Sequence, residues 1–158
     1  MSLEELKKID AESIPVGKLL YIIGKGYVKF INRSMAEFGI NTTQLHLLFE
    51  ISDKSDLNQE KIAERCNINK GAVARSIKKL EDMGLVKRQI DENNRRQNKI
   101  TLTQKGEEIM EKSLKILHDW EDSVILEKGY IDKELLQNVL KEIAIKTMEL
   151  NQGELIND

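Results

Sequence analysis

Cysteine, proline, aromatic residues and long apolar runs are all scarce in this chain of 158 residues. The single cysteine, Cys66, leaves no partner for an internal disulfide and suits a reducing compartment. One proline and 4% aromatic residues leave a core that must be mostly aliphatic. The longest apolar run, "LLYII" at 19–23, falls far short of the roughly 20 residues that cross a bilayer. The opening "MSLEELKKID" mixes charges and has no apolar signal core. These absences exclude a disulfide scaffold and a membrane span, and the expected location is the cytoplasm.

What is present suits a helical globular protein. The length accommodates one domain with a real core and extra helices for a partner. Hydrophobic residues make up 40% and charged residues 33%, as in a protein rich in surface helix. The net charge of −2 alone argues against a nucleic-acid binder. Its distribution argues otherwise. Between Lys70 and Lys99 lie nine basic residues (70, 75, 78, 79, 87, 88, 95, 96, 99) and four acidic ones (81, 82, 91, 92). That window carries +5 and the rest of the chain −7, a directional basic island in an acidic frame.

Hydrophobic spacing predicts a first helix from Ile14 to Phe38, closed by Gly39. A second opens at "INTTQ", where Asn41 caps and Gln44 completes a capping box; Leu45, Leu48, Phe49 and Ile51 form its apolar face. Asn58 then caps the short helix "QEKIAERC", with Ile62, Ala63 and Cys66 facing inward. Asn67 stands where a helix end wants a residue tolerant of left-handed geometry. Asn69 caps "KGAVARSIKKLEDM", whose stripe is Val73, Ile77 and Leu80, and Gly84 ends it with Leu85 folding back. Two helices joined by so short a turn form a helix-turn-helix.

Past Gly84, apolar residues alternate at Val86 and Ile90 and again at Ile100 and Leu102, with the polar turn "ENNRRQN" between them. This predicts a β-hairpin, and a helix-turn-helix followed by a hairpin is a winged helix. Thr103 caps a long helix that runs to about Glu127, and Asp132 caps a last one to about Leu150. The expected fold is mainly α with a small β-hairpin wing. One domain spans 1–158, with the winged helix at 41–103, its helix-turn-helix at about 57–83 and its wing at about 85–103. The helices at 12–39 and 104–152 flank it as dimerisation elements. Their stripes (Leu19, Ile23, Tyr27; Leu114, Leu117, Ile125; Leu136, Leu140, Ile143) need a further apolar surface, which a second copy can supply.

The run "LNQEKIAERCNINKGAVARSIKKLEDMGLVKRQIDENNRRQNKITLTQKG", 57–106, resembles the multiple-antibiotic-resistance regulator (MarR) family. The shared marks are the helix-turn-helix spacing, the "L-x-x-x-G-L-V-x-R" exit, the wing arginine and "L-T-x-x-G" opening a long helix. The resemblance implies a homodimeric winged-helix regulator of transcription. On that resemblance the expected action is on double-stranded DNA, as a repressor at a pseudo-palindromic operator with activation left open, and some members of the family are released by a small phenolic or other aromatic effector. By position, Asn69, Lys70, Ala72, Arg75, Ser76 and Lys79 would belong to the DNA-facing part of the recognition helix. Arg96 would be the wing arginine, with Arg95 along the phosphates. Asn94 departs from the aspartate common in the family two residues before that arginine. An amide can brace the turn by hydrogen bonds but cannot form an ion pair.

Other residues carry less. Sensing cysteines in this family lie near the first helix, so Cys66 is expected in the core. His46 and His118 are too isolated for a metal site; His46, between Leu45 and Leu47, is the candidate for an effector contact. Tyr21, Tyr27 and Trp120 fall on helical stripes and suit core or interface packing. The paired acids at 4–5, 81–82, 107–108 and 121–122 lie among lysines as solvated faces. No nucleophile–base set, phosphate loop or cofactor fingerprint is present, so neither an enzyme nor a bound cofactor is expected. A winged-helix protein-interaction module is the alternative, and the basic island favours DNA.

Overall fold

In the computed structural model the described residues are 1–53, 57–90, 98–126, 129 and 131–154, the side chains of 98, 126 and 152–154 excepted. The helices are α1 (Leu3–Lys8), α2 (Val16–Met35), α3 (Thr42–Asp53), α4 (Gln59–Cys66), α5 (Lys70–Asp82), α6 (Gln104–Glu121) and α7 (Lys133–Glu154). Strands β1 (Val86–Ile90) and β2 (Asn98–Leu102) pair antiparallel between α5 and α6, with Arg88 opposite Ile100. The first predicted helix is thus shorter at its start, where Pro15 precedes the first turn, and it tightens into a 3-10 turn at Ala36–Phe38. Gly39, at φ 69°, closes it as expected. The long helix after the wing ends its regular part at Glu121 and continues as a π-helical turn over Asp122–Leu126.

The chain divides into two compact units, Met1–Leu114 and Lys115–Asp158. The first holds the winged helix, organised around α3. Asn41 and Gln44 form the expected reciprocal box: the Gln44 N–H donates to Asn41 Oδ1 at 2.9 Å and the Asn41 N–H to Gln44 Oε1 at 3.0 Å. From there α3 buries Gln44, Leu45, Leu47, Leu48 and Ile51, so more than one stripe is covered. Leu47 belongs to that core although only Leu45, Leu48, Phe49 and Ile51 stood on the expected face. Ile31 and Met35 from α2, Ile62 and Ala63 from α4, and Val73, Ile77 and Leu80 from α5 are also buried, as are Val86 and Ile100 from the hairpin. This aliphatic set follows from the shortage of aromatics, and burying each such side chain contributes roughly 1.5–3 kcal/mol.

The second unit differs. Asp132 caps α7 through its Oδ1, which accepts from the Leu135 N–H at 3.0 Å. Lys133 Nζ then reaches Glu121 Oε2 at 2.6 Å, tying the first turn of α7 to the end of α6. Yet no described side chain of α7 is buried, and Leu135, Val139, Leu140, Ile145 and Met148 are exposed.

Candidate nucleic-acid interface

The helix-turn-helix is built by three asparagines. Asn58 Oδ1 accepts from the Lys61 N–H at 2.9 Å and starts α4. Asn67 adopts the left-handed conformation, φ 49° and ψ 47°, and ends it; asparagine tolerates this where most residues do not. The Ile68 N–H returns to the Ala63 carbonyl at 3.0 Å and closes the turn. Asn69 Oδ1 then accepts from the Gly71 N–H at 2.8 Å and opens α5. The far end of α5 repeats the closure with glycine: Gly84 has φ 70°, and the Leu85 N–H reaches the Leu80 carbonyl at 2.9 Å.

Val73, Ile77 and Leu80 fully bury one face of α5, which by helical geometry turns Arg75 and Lys79 to the opposite side. Both are exposed, and neither has an ion pair among the described residues. Ala72 and Ser76 lie beside them, half-buried. Lys70 is exposed but pairs with Glu60 at 3.1 Å, and Lys78 pairs with Asp82 at 2.6 Å. Both pairs are solvated and worth little in stability. The Asp82 carboxylate, by hydrogen bond and charge, raises the Lys78 ammonium above its ordinary value. Arg88 is held by Glu81 and Gln59. Among the described residues, the basic island is thus sorted into cations with a carboxylate partner and cations without one. Arg95 and Arg96, with Asn94, lie outside the described residues.

The base of the wing is fixed by contacts that join the two sequence marks on either side of it. Thr103 Oγ1 donates to the Gly84 carbonyl at 2.6 Å and accepts from the Gly106 N–H at 3.1 Å, capping α6 as expected. The Thr103 N–H bonds the Leu85 carbonyl at 3.0 Å, and Lys105 Nζ bonds the Met83 carbonyl at 2.9 Å. Gly106 is required here, because a Cβ would run into the Leu85 carbonyl oxygen. The "G-L-V" exit and the "L-T-x-x-G" entry are two halves of one joint.

The MarR family model matches residues 40–97, the stretch from the start of α3 into the wing. The regulator SarZ of Staphylococcus epidermidis is 30% identical over 79% of this chain and 81% of its own. The chain belongs to the MarR family. A MarR regulator from Methanosarcina mazei Go1 superposes with a TM-score of 0.74 at 28% identity, covering 85% of this chain and 97% of that one. The Staphylococcus aureus MepR–DNA complex shares the fold, with a TM-score of 0.72 at 19% identity over 87% and 99% of the two chains. This MarR-family chain is a DNA-binding, helix-turn-helix transcriptional regulator.

Two expectations change with the structure. Cys66 is only half-buried, because it is the last residue of α4 and the chain leaves the core there. Burial, then the Glu50 carboxylate, raise its thiol above the ordinary value. Ile90 continues the alternation of β1 but is 69% exposed, since the core ends below it. Arg88 stood in the sequence as the arginine of the "L-V-x-R" exit and as part of the basic island, but its link to Glu81 and Gln59 was not read there. His46 is exposed on α3. Among the described residues no group of His, Cys, Asp or Glu could hold a metal ion, and no helix is long and apolar enough to cross a membrane.

Proposed function

We propose that the chain acts as a homodimer that reads a pseudo-palindromic operator and represses transcription. The observation that carries the reading is the outer face of α5, where Arg75 and Lys79 stand exposed opposite a fully buried face. A helix of this size fits the major groove, and arginine paired to guanine is its commonest specific contact. Arg75 is assigned to a base edge, and Lys70 and Lys79 to phosphates, with Ala72 and Ser76 against the groove. Asn69 serves first as the cap of α5. Arg95 and Arg96 follow β1 in the chain and are assigned to the flanking phosphates and minor groove, where narrow A·T-rich sequence attracts arginine.

Dimerisation is supported by the apolar residues left uncovered in a single chain, including Ile23 on α2, Leu114 on α6 and Leu140 on α7. A two-fold pair would set its recognition helices about 34 Å apart, one turn of DNA. For an effector, a groove of about 430 Å³ on α2 offers Lys18, Lys25 and Lys29 beside Tyr21 and Ile22. It suits an aromatic anion better than the exposed His46.

Selection of bound duplexes from a random pool, followed by light scattering of the free protein, tests the reading. An enriched two-fold motif and twice the 18.2 kDa chain mass are expected. No enriched motif, or a clean monomer at micromolar concentration, would overturn it in favour of a protein-interaction module.

A further inference from the structure

Among the described residues, the end of β1 away from Val86 has no apolar anchor. In β1, Val86, Arg88 and Ile90 share one face, because side chains alternate along a strand. Val86 is buried with Ile100 from β2, but Ile90 is exposed. Toward that end of β1, the described contacts that hold the hairpin to its neighbours are polar. Arg88 supplies them: its Nε donates to Glu81 Oε2 at 3.3 Å and its Nη2 to Gln59 Oε1 at 3.4 Å. Glu81 lies in the last turn of α5 and Gln59 is the first residue of α4. One guanidinium thus joins the wing to both helices of the helix-turn-helix. The two charged side chains are 33% and 31% exposed, so water screens the pair only partly. Nearby, the Ile100 N–H bonds the Leu57 carbonyl at 2.9 Å and pins the second strand to the same place.

We infer that Arg88 is a positioning residue for DNA binding, which holds the wing against the recognition helix through Glu81 and Gln59 and neutralises no phosphate. The inference rests on the DNA-binding reading above. Arginine suits the task because its planar fork donates in two fixed directions at once, whereas a lysine ammonium is a single mobile point charge. A guanidinium engaged in this way releases no counterion from DNA.

Glu81 provides a test in which the two roles have opposite signs. If only charge mattered, removing an acid from the recognition helix would tighten binding to a polyanion. A brace requires it to weaken. The probe is a duplex recovered from the random pool, titrated at several salt concentrations against wild type, Arg88→Gln, Glu81→Gln and Lys79→Gln. Arg88→Gln and Glu81→Gln should each lose about two- to fivefold in affinity, the range of a partly exposed pair. Neither should alter the salt slope, whereas Lys79→Gln should flatten it by about 0.9. The exchanged pair Arg88→Glu with Glu81→Arg should recover affinity.

Hydrogen exchange of the β1 and β2 amides, measured without DNA, gives a readout independent of the functional reading. It should quicken in both brace variants. A Glu81→Gln protein that binds as tightly as wild type, an Arg88→Gln slope flattened like that of Lys79→Gln, or unchanged strand exchange would each overturn the inference. If wild type itself binds no duplex, the DNA reading fails, and the exchange data alone decide whether Arg88 braces the wing.

Discussion

Helices α5 and α7 are both amphipathic in sequence, yet the single chain treats them in opposite ways. The 13 residues of α5 fully bury Val73, Ile77 and Leu80. The 22 residues of α7 include no buried side chain among those described, while Leu135, Val139 and Leu140 stand exposed. An apolar stripe therefore predicts that a surface will be covered but not by what. For α5 the cover is the chain's own α3, α4 and hairpin; for α7 it is proposed to be a second copy. On the proposed reading the contrast also divides the work: α5, covered from behind, would read DNA with its front, and α7 would serve assembly.

The largest effect should come from cutting the buried face. Ile77→Ala should destabilise the winged helix by about 2–5 kcal/mol, read by chemical denaturation at any protein concentration. Leu140→Ala in α7 should instead lower the melting temperature in a concentration-dependent manner, because it acts on association. Equal losses from both variants at every protein concentration would erase the contrast.

Next in size is the joint behind the wing. Gly106→Ala should cost about 1–3 kcal/mol or more, since the added methyl must displace the Leu85 backbone. A thermal melt unchanged from wild type would show that the joint yields easily. On the outer face of α5, Arg75→Ala should leave stability intact and lose about 1–3 kcal/mol of discrimination between selected and scrambled duplexes. Equal loss on both would reassign Arg75 to the phosphates.

The smallest effect is expected at Cys66, where α4 leaves the core. Burial raises its thiol, so the neutral form is favoured in the folded chain. Its contribution is full below the ordinary thiol range and is lost as pH rises through that range to the raised folded value. Against Cys66→Ser, wild-type stability should therefore decline slightly more steeply in alkali. A stability difference that grows with pH would contradict the shift.

Asn41 with Gln44, Asn58, Asn67, Asn69, Gly84, Thr103 and Asp132 were all legible as caps or turns in the sequence. Such residues act on backbone groups a few positions away, so the local sequence contains most of the physics. The apolar stripes likewise identified α5 and the hairpin, and the basic island with the four family marks pointed that winged helix at DNA. The sequence by itself thus determined the order of elements from α2 to α7, the caps that bound most of them and the face of α5 that meets the core, whereas the short α1 was not read from it. Only the tertiary structure decided which cations are engaged. Arg88 meets Gln59 across 29 positions, and Lys70 meets Glu60 across ten. It also decided that Gly106 must clear the Leu85 carbonyl and that Leu47 belongs to the core. Ion pairing and steric contact act over a few ångströms in space, and residues far apart in the chain reach that range only after it has folded.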